Sequence, residues 1–264
     1  MGRDGSGRDD SLVSADLPEF LKKIRARTPA RILMGRAGAA YRTDALLDLR
    51  SAHAAARDAV RAELDLLAAF GEEFVRQWQL FGVQTQASNK NEYLLRPDLG
   101  RHFTEASTSE IRQKCFREDG PQIDLQVVIG DGLSVPAVAR QAPALLPLLF
   151  AGAQERGWRI GKPFAIRNCR VGVLNEIGDL LEPQVAVLLI GERPGLATAE
   201  SLSAYMAYRP KSGQTDADRN LISNIHARGV SSAEAAARIL QLAAQMMREK
   251  SSGYRLKEAP PVLS

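Results

Sequence analysis

Val185-Ala186-Val187-Leu188-Leu189-Ile190, followed by Gly191-Glu192-Arg193-Pro194-Gly195-Leu196, is the stretch on which the reading of the fold turns. The first part is apolar without alternation. A short run of this kind, closed by a turn signal, predicts a strand buried on both faces, as in a parallel sheet. Burial gains roughly 1.5–3 kcal/mol for each Val, Leu or Ile, which places the strand at the sheet centre. Gly191, Pro194 and Gly195 then stop it, with a carboxylate and a guanidinium between them. Ligands of open α/β sheets bind just beyond the carboxyl ends of strands. The segment is therefore either a site loop or a tight connection from this strand to a helix, with Glu192 and Arg193 facing water. Local chemistry does not separate the two.

Outward from this strand the texture is α/β. Residues 123–129 read as another strand, Gly130-Asp131-Gly132-Leu133-Ser134 as a turn, and residues 135–154 as an Ala- and Leu-rich helix that Pro143 and Pro147 kink or interrupt. The turn opens a βα unit whose helix start offers free N–H groups to a phosphate. It lacks the full Gly-x-Gly-x-x-Gly spacing and the P-loop lysine, so the signal is weak. Residues 164–173 read as a strand or strand pair, 174–175 as a turn, 176–181 as a helix, 202–208 and 221–226 as strands. Ser231 caps a last helix running to Lys250, with Glu234 at the capping-box position.

The amino-terminal half is mainly helical. Residues 1–13 are Gly-, Ser- and charge-rich and read as a disordered tail. Asp16, Pro18 and Glu19 start an amphipathic helix with Leu17, Phe20, Leu21 and Ile24 on one side and basic residues on the other. Gly35, Arg36 and Gly38 form a basic loop, and Thr43 or Asp44 caps a helix whose packed face carries Leu46, Leu49, His53, Ala56 and Val60. His53 there reads as a half-buried structural histidine. Residues 83–86 alternate like a strand, 89–91 read as a turn, 92–96 as a second strand and 107–116 as a helix. Three regions result: a tail with its helix over 1–30, a mainly helical region over 31–120, and an α/β domain over 121–264.

Composition limits the function. The chain has 264 residues, 45% hydrophobic and 25% charged, with a net charge of +4. These are globular values without the dense basic stripe of a nucleic-acid binder. Cys115 and Cys169 have no metal-ligand spacing, and Cys115 reads as inert. No secretory leader is evident and no apolar run approaches the length of a membrane helix. The expectation is a cytoplasmic protein with no metal site of its own. Three histidines, no nucleophile elbow and no Cys-x-x-Cys pair leave little for self-contained catalysis. Free-standing phosphate chemistry at residues 130–134 and a basic RNA- or partner-binding module led by the first helices remain as rivals.

Five segments in order carry a resemblance: Gly35-Arg36-Ala37-Gly38, Tyr93-Leu94-Leu95-Arg96-Pro97-Asp98-Leu99-Gly100-Arg101, Gly130-Asp131-Gly132-Leu133-Ser134, Gly191-Glu192-Arg193-Pro194-Gly195-Leu196, and Ala217-Asp218-Arg219-Asn220 through Ile225. Together they resemble the small (light) subunit of ethanolamine ammonia-lyase over residues 31–253. The resemblance implies a Rossmann-like, doubly wound sheet with an N-terminal helical extension. It also implies adenosylcobalamin as cofactor and a large (heavy) subunit as partner in a hetero-oligomer. That partner, a TIM barrel, holds the ethanolamine, which is converted to acetaldehyde and ammonia by a radical route. Within this chain the resemblance implies cofactor contacts at Val171, Glu192 and Leu221 and no catalytic residue. Some members of the family are packaged in bacterial microcompartments, and the basic amphipathic helix after Asp16 suggests the same here.

The chain departs from the family at Leu221, where cysteine is common, and at Leu174-Asn175, where Gly-Asp is usual. No Asp-x-His-x-x-Gly signature surrounds His53, His102 or His226. That agrees with a family in which no protein histidine takes cobalt's lower axial place.

Overall fold

A computed structural model describes residues 19–28, 32, 36–115 and 122–258. The expected tail, Asp16, Pro18 and Gly35 lie outside these residues. In chain order the helices are α1 (Glu19–Ala26), α2 (Thr43–Arg61), α3 (Leu66–Phe70), α4 (Glu72–Gln77), α5 (Lys90–Leu95), α6 (Glu105–Cys115), α7 (Val135–Glu155), α8 (Leu174–Leu181) and α9 (Ser232–Glu249). The strands are β1 (Arg36–Ala37), β2 (Ala40–Tyr41), β3 (Phe81–Gln84), β4 (Leu125–Gly130), β5 (Phe164–Arg167), β6 (Val185–Gly191), β7 (Leu202–Tyr208) and β8 (Asn220–Ile225).

β6 is the organising strand. All seven of its residues are buried, and it is a middle strand of a six-stranded sheet of order β3-β5-β4-β6-β7-β8. The expectation of a parallel environment holds on one side only. β6 runs parallel to β4, pairing Leu125 with Val185 through Gly130 with Ile190, but antiparallel to β7, pairing Val185 with Tyr208. A run buried on both faces looks the same whichever way its neighbour points, so the hydrophobic pattern could not reveal the reversal. β3, β5, β4 and β6 form the parallel part, and β7 and β8 an antiparallel flank. The boundary drawn after residue 120 on sequence texture crosses this sheet, because β3 lies before it and pairs with β5.

Alternation along β6 feeds two cores. Val185, Val187 and Leu189 face α7 and α9, in one core with Leu145, Leu149, Ile239 and Met246. Ala186, Leu188 and Ile190 face α6 and α8, in a second with Ile111, Leu174 and Ile177. α7 is one continuous helix despite Pro143 and Pro147, which are only partly buried. On that outer stripe the carbonyls left without a donor can reach water. By length and composition α7 would suffice to cross a membrane; here its apolar face is packed on the sheet and on α9.

The second core leaves part of its face uncovered. No residue of β8 joins it, since Ile222 and Ile225 belong to the first core, and from β7 only the partly buried Tyr205 packs there. Leu221, directly opposite Tyr205 in the ladder, is 46% exposed. On that face β7 is buried at Ser203 and Ala207 and half-buried at Tyr205, so the exposed ledge is β8, at Leu221 and Ser223, backed by α9 on the other side.

Two local expectations are corrected. Residues 92–96 are not a strand: they belong to α5, whose cap is Asn89, its side chain accepting from the Glu92 N–H at 3.0 Å. Residues 174–175 are not a turn but the first residues of α8. Ser231 caps α9 as expected, accepting from the Glu234 N–H at 3.2 Å, whereas α2 starts after Arg42 with no side-chain cap.

Candidate functional site

The parallel strands β3, β5, β4 and β6 deliver their carboxyl ends to one edge of the sheet, where ligands of such folds bind. The turn after β4 is packed shut. Gly132 has φ +56°, and a Cβ there would lie 2.3 Å from the Gly191 carbonyl oxygen. The Leu133 N–H donates to that same oxygen at 3.0 Å, and Ser134 caps α7 by accepting from the Ala137 N–H. The Ser134 hydroxyl in turn donates to the Ala199 carbonyl. The segment after β6 therefore lies over the helix start that the phosphate reading required to be free. That segment is no connection to a helix, because it leads to the antiparallel strand β7.

Below this edge lies a buried polar network that the sequence did not disclose. The Asp131 carboxylate takes the Lys90 ammonium at 3.1 Å and the backbone N–H groups of Asn168 and Cys169, each at 2.9 Å. Lys90 also donates to the Gly132 carbonyl at 2.9 Å. The Tyr93 hydroxyl donates to the Cys169 carbonyl at 3.1 Å, while the Arg170 guanidinium stacks 4.1 Å from the centroid of the Tyr93 ring and donates to the Tyr93 carbonyl. α5 is thereby locked to the ends of β4 and β5. Burial pushes the phenol of Tyr93 well above its usual range.

Beside this network, between the segment after β5 and the loop before β8, opens a cavity of about 470 Å³. Arg101, Arg170, Val171, Asn175 and Arg219 are among the residues around it. Asn175, one of the two departures at 174–175, accepts from Arg219 at 2.8 Å and donates to the Gln214 carbonyl at 2.8 Å. Glu176 accepts from the Phe103 N–H and meets the His102 ring, both at 2.7 Å.

The three residues implied as contacts fall as follows. Val171 lines the cavity and packs partly against the second core. Leu221 stands on the open ledge, two residues after Arg219. Glu192 follows β6, its N–H donating to the Ser201 carbonyl at 3.0 Å, and strand alternation puts it on the face of Leu188 and Ile190. Tyr205 links the last two: it pairs with Leu221, and its phenol is raised by burial and then by the negative charges of Glu192 and Asp216. Glu192 and Leu221 share a face; Glu192 does not line the cavity.

The remaining reactive groups are quiet. Burial pushes the Cys115 thiol up to about 11 and that of Cys169 well above its usual value. His53, expected to be half-buried, is exposed. Among the described residues no group of three or more side chains is placed to hold a metal.

Comparison with known proteins places this arrangement. A family model described as "Ethanolamine ammonia-lyase light chain (EutC)" matches residues 18–257. The chain is 41% identical over 243 residues to the ethanolamine ammonia-lyase small subunit of Clostridium perfringens, covering 92% of this chain and 79% of that one. It is 38% identical over 239 residues to that of Clostridium acetobutylicum, covering 90% and 95%. It is 41% identical over 246 residues to that of Fusobacterium nucleatum, covering 93% and 80%. With the family model spanning nearly all of the sheet and its helices, the chain belongs to the ethanolamine ammonia-lyase light chain family.

Proposed function

We propose that this chain is the small subunit of an adenosylcobalamin-dependent ethanolamine ammonia-lyase and covers one side of the cofactor, while a large subunit holds the ethanolamine. The observation that carries the reading is the exposed edge strand β8, where Leu221 stands open on the same side of the sheet as the partly buried Glu192, next to the cavity lined by Val171. Four parallel strands with helices on both faces support the Rossmann-like reading of the sheet.

The residues suit a corrin edge. The ring and its methyl groups need apolar contact, which Leu221 and Val171 offer. Its amide arms need both donors and acceptors. The Glu192 carboxylate can accept from them, and the guanidinium groups of Arg101, Arg170 and Arg219 around the cavity carry donors. A ligand with polar arms around an apolar plate satisfies both requirements. Leu221 replaces a common cysteine without losing contact area.

When bound, adenosylcobalamin supplies the radical chemistry that moves the amino group of ethanolamine. This chain contributes no group to that chemistry. Its task is orientation and the exclusion of water: the ledge closes one side of the shared pocket, and the Lys90–Asp131 network holds the Val171 segment at a fixed height. The ethanolamine ammonia-lyase large subunit completes a hetero-oligomer. α1, exposing Phe20 and Ile24 on an otherwise basic helix, supports a role in packaging within a cytoplasmic microcompartment; removal of residues 1–30 would then disperse the enzyme.

The test is co-expression with the large subunit, followed by conversion of ethanolamine to acetaldehyde with and without adenosylcobalamin. Glu192→Ala in that complex should weaken cofactor binding while the subunits still assemble. No cobalamin-dependent activity in the unmodified complex would remove the reading.

A further inference from the structure

β6 and β7 are joined by a hairpin over residues 192–201, with Glu192 at its base. The Glu192 N–H donates to the Ser201 carbonyl at 3.0 Å, and a bond from the Gly195 N–H to the Thr198 carbonyl closes the tip. α7 holds the returning limb: the Ser134 hydroxyl donates to the Ala199 carbonyl and the Gln141 amide to the Glu200 carbonyl. From the β8 side the exposed Arg228 donates through its guanidinium to the Ala197 carbonyl at 3.2 Å. Arg228 lies in the turn from β8 to α9, and that turn is tight. The His226 N–H donates to the Val230 carbonyl and the Val230 N–H to the Asn224 carbonyl, while a Cβ on Gly229 would lie 2.2 Å from that same Asn224 oxygen. Inside the turn the buried His226 ring makes two bonds. Its Nε2 lies 2.7 Å from the Asn224 side-chain oxygen, and its Nδ1 accepts the Arg228 N–H at 3.2 Å. The charged groups that act on the ring are Arg228, from the turn itself, and Glu200, from the hairpin.

We propose that Arg228 and His226 are positioning residues for Glu192: with a neutral imidazole they fix the hairpin after β6, and protonation of the ring releases it. The consequence for the cofactor rests on the cobalamin reading above; the latch itself does not. Nδ1 cannot carry a proton and accept the Arg228 N–H together, so protonation sets two N–H groups against each other. The ring is enclosed and Arg228 is exposed, so Arg228 is the partner that moves, and its bond to Ala197 goes with it. Two positive charges then share the turn, and Glu200 offsets only part of their repulsion. A cofactor resting on Glu192 binds the held hairpin better than the released one, so its uptake weakens as the pH falls through the titration of His226. The bond at stake is a single one exposed to water, which sets the effect at about fivefold.

The experiment uses the complex with the large subunit at about pH 8 and about pH 5.5, on either side of an ordinary imidazole. Visible absorbance reads the affinity for adenosylcobalamin, and amide exchange without cofactor reads the protection of residues 192–201. In the unmodified complex both should fall at the lower pH. His226→Gln offers a carbonyl to the Arg228 N–H and an amide N–H to Asn224, with no proton to gain. It should keep the protection at the lower pH, and its affinity should fall about fivefold less than that of the unmodified complex. Arg228→Ala should weaken uptake about fivefold already at the higher pH and remove the same part of the pH dependence. Its side chain is exposed, so it decides the matter if His226→Gln prevents assembly. Equal losses of affinity and protection with falling pH in His226→Gln and the unmodified complex would overturn the latch, as would unchanged uptake and protection in Arg228→Ala. If protection follows the latch while affinity ignores both variants, the two residues do not position Glu192, and the cobalamin reading stands. If the unmodified complex takes up no adenosylcobalamin at either pH, the cobalamin reading fails, and the exchange measurement alone decides the latch.

Discussion

The Lys90 ammonium lies 3.1 Å from the Asp131 carboxylate, with the two side chains only 6% and 1% exposed. The pair ties α5 to the end of β4, and through the Asn168 and Cys169 N–H groups to the segment carrying Arg170 and Val171. Removing one partner leaves a charge with no water to solvate it. Lys90→Met should therefore destabilise the chain by about 3–5 kcal/mol. Replacing both, as Lys90→Met with Asp131→Asn, should cost less than the sum of the single changes, because no bare charge remains. Urea unfolding of the four proteins measures the coupling; simple additivity would show that the pair is not a unit.

Gly132 offers a second check, at the contact between two loops. Its φ of +56° disfavours any side chain, and a Cβ would meet the Gly191 oxygen at 2.3 Å. The left-handed angle alone costs an ordinary residue about 1–3 kcal/mol, and the backbone clash adds to it. Gly132→Ala should lower the thermal midpoint markedly, whereas Gly213→Ala, with a similar positive φ of +89° in open space, should show the angular penalty alone. Equal losses at the two positions would argue against the loop contact.

How far the sequence could be read depended on whether a signal was local. β7 and the cap of α9 follow from period and capping chemistry contained in their own segments. α5 was misread because Tyr93-Leu94-Leu95 is too short to show a helical period. What settles it is the Asn89 cap and the burial of Tyr93, with Leu95 left 81% exposed. The network around Asp131 spans residues 90 to 169 and has no local signature. Arg101 and Arg219 did lie inside segments that carried the family resemblance, and Arg170 beside Val171. Only the fold brings their charges to one cavity.

Leu221 separates a binding role from a packing role. A half-exposed leucine on an uncovered strand contributes little to the core, so Leu221→Asp should change stability by no more than about 0.5 kcal/mol. On the proposed reading it places a carboxylate against the corrin and should weaken cofactor uptake by the complex about tenfold or more, a desolvation cost. Leu221→Cys, the residue common in the family, should leave uptake close to unchanged. Circular dichroism melts and absorbance titrations measure the two quantities separately. A large loss of stability in Leu221→Asp with normal uptake would make Leu221 a structural residue.

His226 gives the fold a pH dependence whose sign is fixed by its contacts. The ring is 4% exposed; its Nε2 lies 2.7 Å from the side-chain carbonyl oxygen of Asn224, and its Nδ1 accepts the Arg228 N–H at 3.2 Å. Nδ1 cannot accept and carry a proton at once, so the neutral form with the proton on Nε2 fits the site. Burial and then the Arg228 charge lower its pKa below 6.5. The unfolded chain, with an ordinary imidazole, takes up its proton first as the pH falls. It then binds more protons than the folded chain, so the contribution of His226 is complete above about pH 6.5 and is lost progressively below it. Asp124 and Asp218 are also held low. For Asp124 burial alone would raise the value, and the Arg159 bonds outweigh it; for Asp218 the Thr215 N–H is the chief cause. Both carboxylates act only below about pH 4, outside this window. Urea midpoints from about pH 8 to about pH 5 should fall less steeply in His226→Gln than in the unmodified chain. Identical slopes would mean that folding leaves the proton affinity of the His226 ring unchanged.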